Sequence, residues 1–412
     1  MLYSLIRFAP RACAFVAAAP LLVSCNSDGS CYNCGLTYPP IESSSAVVAA
    51  DFNGDGLPDI IQTSSVQSGQ EPDPANLKAY LSSGAGLFAA PALTAAGDDP
   101  LFLAAADLNG DHLTDIVSAS FEDGALAVFF NNAQKPGTFN TPLILASPGA
   151  SQVAIADVNG DGLADLISAD YGVSLFVQTS AGTFANPVSL YAGGANWVAV
   201  GDLNGDGSSD IALSDNVGVK VLMHTGAGSA LTYATPVSVF TATPGANING
   251  ANLIAIADVN NDGLNDLVIT DQGYGTVGPT VSVLIQDPAH HGQFLAAASY
   301  PIGAGNLAQS IYLVDINGDH HPDIVVGGSA GVSVLLQDPA HAGVYLAATD
   351  YPADDANAIA IADVNGDGRP DIVVATGPTH PVDSNGVTTN HPGVLLQSAT
   401  SAGMFGVLQD LP

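Results

Sequence analysis

Basic residues are almost absent from this sequence. Lys and Arg together number 6 among 412 residues, whereas Asp and Glu number 39, so the formal net charge at pH 7 is −33. A surface of this charge cannot neutralise phosphate groups, and we expect no nucleic-acid partner. The excess of acid does not indicate disorder, because 47% of the residues are hydrophobic and a chain of this length can bury a core.

Long hydrophobic runs are also missing, except near the N-terminus. In residues 1–24, Arg7 and Arg11 supply positive charge and an apolar stretch follows, which is typical of an export signal. The segment that ends at Cys25 resembles the lipobox of bacterial lipoproteins, whose cysteine is acylated. We predict a lipoprotein signal peptide at 1–24, lipidation of Cys25, and contact with a membrane only through this lipid. The expected location is the bacterial outer membrane or cell surface, and a secreted protein is the alternative.

Cysteine is scarce, with four residues in all. Cys13 lies in the signal and Cys25 is assigned to the lipid, which leaves Cys31 and Cys34. Their C-x-x-C spacing occurs in redox motifs, but the surrounding segment is rich in Ser, Gly and Asn and has no βαβ context. We predict that residues 25–40 form a tether in which Cys31 and Cys34 make a small disulfide loop.

The sequence repeats one nine-residue acidic pattern seven times. Each copy has Asp at positions 1, 5 and 9 and Asn at position 3, as in the loop from Asp51 to Asp59. Calcium prefers about six to eight oxygen ligands, and a tight loop can direct alternate side chains towards one ion. Positions 1, 3, 5 and 9 would supply side-chain oxygens, while position 7, whose residue type varies, would supply its backbone carbonyl. The predicted cofactor is therefore Ca²⁺, at about seven sites.

The predicted ligands, loop by loop, are Asp51, Asn53, Asp55, Leu57, Asp59; Asp107, Asn109, Asp111, Leu113, Asp115; Asp157, Asn159, Asp161, Leu163, Asp165; Asp202, Asn204, Asp206, Ser208, Asp210; Asp258, Asn260, Asp262, Leu264, Asp266; Asp315, Asn317, Asp319, His321, Asp323; and Asp363, Asn365, Asp367, Arg369, Asp371. An EF-hand does not fit, because no Glu stands at position 12 and the flanks are not helical. A series of Asx-turns without metal is the alternative.

Glycine at positions 4 and 6 of the loop suits the positive φ angles that a turn around an ion needs. Three copies depart from this rule, with His112 and His320 at position 6 and Asn261 at position 4. Asn and His tolerate the left-handed region better than most residues. We expect the second and sixth sites to bind calcium more weakly without being lost.

Short β-branched and apolar segments surround every loop. One precedes it, such as 153–156, and two follow it, such as 324–326 and 332–336. A fourth segment is expected to begin at an aromatic residue, for example Phe139 or Tyr345. Four strands in each repeat of roughly 50 residues indicate an all-β fold, a seven-bladed β-propeller with four-stranded blades. We assign it to residues 41–412, with the calcium loop between the first and second strand of each blade.

The repeats resemble the FG-GAP and VCBS repeat families, the calcium-binding propeller repeats also found in the integrin α head. The resemblance covers about residues 37–412 and is specific in the acidic loop, whereas the Phe-Gly and Gly-Ala-Pro signatures are mostly blurred. It implies that the loop joins the innermost strand of a blade to the second, with ligands at positions 1, 3, 5, 7 and 9. How the ring closes stays open, and an outer strand shared between the chain ends is one possibility.

The function that we expect is a non-catalytic binding or adhesion module, not an enzyme. Its partner would be a protein or a glycan, and we expect a monomer. Long insertions fall mainly on the face opposite the acidic loops, at Thr376–Pro392, Ser64–Ala75 and Gly273–Pro279. The first two belong to repeats seven and one, which become neighbours when the ring closes, and they are the candidate ligand patch; tolerated surface insertions are the equal alternative. A glycan-binding lectin is the first alternative, and a polysaccharide lyase-like enzyme is the second.

Overall fold

The computed structural model describes residues 41–43, 45–67, 74–98, 100–226, 231–241, 253–272, 278–303, 308–353, 356, 358–375 and 392–410. The signal peptide, the tether, Cys25, Cys31 and Cys34 lie outside the described residues, and so do half of Ser64–Ala75 and most of the other two insertions. Those assignments stay predictions. Among the described residues, no helix is long and apolar enough to span a membrane.

The described residues form seven antiparallel sheets, each with the four strands of one blade, which confirms the seven-bladed propeller. From the inner to the outer strand, the blades are Val47–Ala50, Asp59–Gln67, Pro74–Tyr80, Ala92–Asp98; Pro100–Ala106, Asp115–Ser120, Ala125–Phe129, Leu143–Ala146; Gln152–Ala156, Asp165–Ala169, Val173–Phe176, Val188–Tyr191; Trp197–Gly201, Asp210–Ser214, Gly218–Leu222, Val237–Thr241; Ile254–Ala257, Asp266–Asp271, Thr280–Leu284, Ala298–Pro301; Ala308–Val314, Asp323–Gly328, Gly331–Leu335, Thr349–Tyr351; and Ala358–Ala362, Asp371–Ala375, Gly393–Leu395, Gln409–Asp410. Ile41–Ser43 adds a strand to blade 1, and Gln178–Ser180 pairs with Thr183–Phe184 in blade 3.

The hydrophobic core lies between neighbouring blades. In blade 2 every residue of Asp115–Ser120 and Ala125–Phe129 is buried, because both faces of these two strands are covered. One cluster joins Val117 and Val128 of blade 2 to Val153 of blade 3, and similar clusters follow around the ring. Continuous β-branched and apolar runs, in place of strict alternation, are what two-sided burial requires.

The ring closes by packing between blades 7 and 1. Val47 and Tyr80 of blade 1 share one buried cluster with Val373 and Val394 of blade 7. The outer strand of blade 7, Gln409–Asp410, comes from its own repeat. Within the described residues each blade is therefore built from one consecutive segment, and the end fragments 38–39 and 411–412 lie outside them.

The structure corrects two expectations about the strands. The outer strands do not begin at the aromatic residues; in blade 2, Phe139 forms an isolated bridge with Asn131, and the strand begins at Leu143. The segment Ser64–Ala75 is not entirely an insertion, since its two ends extend the paired strands Asp59–Gln67 and Pro74–Tyr80. Both errors arise because the residue pattern marks apolar positions and carries little information on where pairing stops.

Candidate functional site

All seven acidic loops join the inner strand of a blade to its second strand, as predicted. In each blade the Asp at position 9 is the first residue of the second strand. Glycines at positions 4 and 6 have positive φ, for example 78° at Gly54 and 85° at Gly56. The three replacements adopt the same region, with φ of 67° at His112, 59° at Asn261 and 68° at His320. Asn and His therefore take the glycine conformation, as expected from their tolerance of it.

The Asp at position 1 organises the loop backbone, as blade 3 illustrates. Asp157 Oδ1 accepts a hydrogen bond from Gly160 N–H at 2.7 Å, and its Oδ2 accepts one from Gly162 N–H at 2.8 Å. Asn159 Oδ1 accepts from Asp161 N–H, also at 2.8 Å. The bonds to positions 5 and 6 recur in all seven loops. These are Asx-turn contacts, which the metal-free alternative also requires.

The Asp at position 5 is more exposed. Asp161 Oδ1 accepts a hydrogen bond from Leu163 N–H at 2.8 Å, and the equivalent bond occurs in every loop. An ionised carboxylate has about four acceptor positions, so one or two hydrogen bonds do not exhaust it. Asp161 is solvent-exposed, whereas Asp157 and Asn159 are half-buried.

The Asp at position 9 has a different environment, because it is fully buried in every blade. Asp165 Oδ2 accepts from Val158 N–H at 3.1 Å, and Oδ1 accepts from Gln178 N–H at 2.7 Å. It thus ties the loop to the end of the third strand. The same two bonds occur at Asp59, Asp115, Asp165, Asp210, Asp266, Asp323 and Asp371.

Burial raises the pKa of all seven position-9 carboxyls. Desolvation is the largest cause, and the charges of neighbouring loop aspartates add to it, while the backbone hydrogen bonds lower the pKa. The pKa rises to about 6 at Asp59, Asp115, Asp210, Asp266, Asp323 and Asp371, and it is also raised at Asp165. A nearby cation would favour the charged form and oppose this effect.

The donor chemistry of the loops fits a hard cation. Each loop brings three carboxylates and one amide oxygen within nine residues, and oxygen ligands are what calcium prefers. Among the described residues, no three His, Cys, Asp or Glu side chains stand together in a metal-holding group. The ligand set expected here relies in part on groups of another kind, namely Asn at position 3 and the backbone carbonyl at position 7.

The turns between the third and outer strands lie on the same face as the acidic loops. In the six blades other than blade 4, whose turn is only partly described, a glycine of the turn packs on the loop of the preceding blade. A Cβ placed on Gly137 of blade 2 would lie 3.5 Å from Asn53 Cβ in blade 1, and one on Gly403 of blade 7 would lie 3.2 Å from Asn317 Cβ in blade 6. Glycine is needed at these turns because φ is also positive, at 82° and 71° respectively.

Sequence reasoning missed a second contact between blades. Gln178 Nε2 of blade 3 donates to Leu108 O in the loop of blade 2 at 3.1 Å. Gln337 Nε2 of blade 6 donates to Val259 O of blade 5 at 2.9 Å. Asn131 makes the equivalent bond in blade 2, and Gln397 makes it in blade 7. The signal was present in the sequence as a polar residue after each third strand, at Ser82, Asn131, Gln178, His224, Gln286, Gln337 and Gln397.

Trp197 contributes to packing between blades. Its Nε1–H donates to Ile254 O of blade 5 at 3.0 Å, and its ring meets Phe102 of blade 2 edge to face at 5.3 Å. An indole that is half-buried between three blades in this way supports the ring.

Comparisons with known proteins agree with this fold. The sequence matches the family described as FG-GAP-like repeat over residues 107–168, 157–213, 202–269, 258–326 and 315–374. None of the curated proteins matches it significantly.

Solved structures are similar at low sequence identity. One is a lectin from Agrocybe aegerita that recognises non-reducing terminal N-acetylglucosamine, with 20% identity, 76% of this chain and 80% of that chain covered, and a TM-score of 0.52. Another is a protein from Lactobacillus plantarum, with 14% identity, 80% and 91% covered, and a TM-score of 0.52. A third is BBS1N in complex with ARL6DN, with 12% identity, 82% and 92% covered, and a TM-score of 0.50. At these identities the similarity concerns the fold alone.

Proposed function

The chain belongs to the FG-GAP-like repeat family, and from this membership we propose that it is a non-catalytic binding propeller whose acidic loops hold calcium. The observation that supports the proposal best is the sevenfold repetition of one oxygen-rich loop, with the same hydrogen bonds in every copy. In each copy, positions 1, 3, 5, 7 and 9 would hold the ion. Bound calcium would neutralise carboxylates that repel one another.

In this proposal the calcium ions stabilise the fold and do not take part in a reaction. Each loop contacts both its own third strand and the next blade, so an ion that stiffens the loop would stiffen the joint between blades. Thermal unfolding with calcium and with a chelator tests this role. We expect the chelator to lower the melting temperature by tens of degrees, because seven sites contribute together. A melting temperature that the chelator does not change would refute the calcium assignment.

Attachment to a membrane through a lipid on Cys25 is a further part of the proposal. It is supported by the lipobox-like sequence that ends at Cys25. Metabolic labelling with radioactive palmitate in a bacterial host tests it. We expect label in the wild type and none in Cys25→Ala, and equal labelling of both would refute it.

A lectin is the second candidate function, favoured by the similarity to the Agrocybe aegerita lectin. A glycan array with the calcium-saturated protein distinguishes a lectin from an adhesion module that binds proteins. Saturable binding to a defined glycan would support the lectin, whereas binding only to proteins would support an adhesion module.

A further inference from the structure

Two aromatic rings stand out on the face opposite the acidic loops. Phe121 lies in the turn between the second and third strands of blade 2, and Tyr171 lies in the equivalent turn of blade 3. Phe121 is 37% exposed and Tyr171 is 68% exposed. Of the aromatic side chains whose burial the structure describes, only these two are exposed, and they contact each other edge to face, with centroids 6.1 Å apart.

The Tyr171 ring is held in place although it is exposed. A Cβ placed on Gly149 would lie 3.0 Å from Tyr171 Cε1, so the ring rests on the glycine backbone between blades 2 and 3. Beneath it, buried Asp170 accepts a hydrogen bond from Gly172 N–H at 2.7 Å and one from Ser147 Oγ at 3.2 Å. Because the ring is already held in place, binding of a ligand to it costs little conformational entropy in the site.

The surroundings of these rings are acidic. Glu122 and Asp123 follow Phe121 directly in the turn, and both residues are exposed. Lys220, in the third strand of blade 4, is paired with Asp215. Calcium in the loops would offset about two thirds of the aspartate charge on the other face and leave this one negative. An acidic field with an exposed aromatic ring attracts cations and repels anions.

We propose that this surface, which we call the Phe121–Tyr171 platform, binds an arginine or lysine side chain of a basic protein partner. The cation would lie over the Tyr171 ring, with Glu122 as its counter-charge. The inference rests on the proposed binding function and names the class of partner. The net charge of −33 would also speed the approach of such a partner.

The test measures binding of a fluorescein-labelled tetra-arginine peptide to the calcium-saturated protein by fluorescence anisotropy. Tyr171→Ala should weaken binding about two- to fivefold, the effect of one exposed cation–π contact. Tyr171→Phe keeps the ring and should keep the affinity. Glu122→Gln should weaken binding and reduce its dependence on salt. Leu87→Ala, at a side chain 63% exposed in a turn on the acidic-loop face, is the matched control and should have no effect.

Two results would overturn the inference. One is a Tyr171→Ala variant that binds the peptide as well as wild type or no worse than Leu87→Ala. The other is salt-independent binding of chitotetraose that Tyr171→Ala abolishes, because the ring would then be a sugar platform. Thermal unfolding of the same proteins with and without calcium reports separately on the proposed calcium role. A failure of cation binding by the Phe121–Tyr171 platform can therefore be distinguished from a failure of calcium binding by the loops.

Discussion

Each loop contains two kinds of carboxylate that look identical in the sequence. Asp161 at position 5 is exposed, whereas Asp165 at position 9 is buried and accepts two backbone hydrogen bonds. The repeat pattern predicts both as calcium ligands. It cannot distinguish them, because the burial of position 9 depends on the end of the third strand, which lies more than ten residues further along the chain.

The two kinds of carboxylate should respond differently to loss of charge. In calcium-free buffer, Asp165→Asn places an amide donor against the N–H of Val158 or Gln178 and should lower the free energy of unfolding by about 1–3 kcal/mol. Asp161→Asn retains an oxygen for Leu163 N–H at an exposed position and should change it by less than about 0.5 kcal/mol. Urea unfolding measures both. Equal destabilisation by the two variants would contradict the structural role given to position 9.

The buried aspartates also predict a pH dependence for the calcium-free protein. In six of the seven loops the pKa of the position-9 aspartate rises from the ordinary value of 3.8 to about 6 in the fold. Between these values the folded protein holds protons that the unfolded chain has lost, so the free energy of unfolding falls as the pH rises from about 4 to 6. We therefore expect the melting temperature in chelator to increase when the pH is lowered from 7 to 5. In calcium the change should be smaller or reversed, because protons compete with the ion.

At the scale of the elements, the strands could be predicted and their exact partners could not. Runs such as Val332–Leu335 identify third strands by β-branching and length. The bridge between Asn131 and Phe139 was mistaken for the start of an outer strand, because an aromatic after a glycine turn has the same local pattern in both cases. The Gln and Asn contacts between blades were missed because they join residues about 80 positions apart.

The hydrogen bonds that these Gln and Asn side chains make between blades should contribute to the free energy of unfolding. Gln337→Ala leaves the buried carbonyl of Val259 without its side-chain donor and should lower the free energy of unfolding by about 1–3 kcal/mol. Gln293→Ala removes a similar side chain from an exposed turn and is the control, with an expected change below about 0.5 kcal/mol. Chemical unfolding in saturating calcium tests the pair. Destabilisation of the same size in both variants would argue against a contact specific to Gln337.

At the scale of the whole molecule, seven similar blades close into a ring through ordinary core packing between blades 7 and 1. The number of blades could be predicted because each loop is a clear local marker. The mode of closure could not, because it depends on contacts between Val47 and Val373, at the two ends of the sequence.

The net charge of −33 gives the molecule a second property. Without calcium the carboxylates repel one another, and salt screens this repulsion over a Debye length of about 10 Å or less. We expect added NaCl to raise the melting temperature of the calcium-free protein and to have little effect on the calcium-bound protein. A salt response of equal size in both states would show that the loops are not neutralised by the ion.

The number of calcium ions bound by one chain tests the central claim most directly. Equilibrium dialysis of the chelator-stripped protein against radioactive calcium should give about seven ions per chain, with two weaker sites in the loops that contain His112 and His320. Asp161→Ala should reduce the total by one. A stoichiometry near zero would contradict the account, because the loops would then be Asx-turns that need no metal.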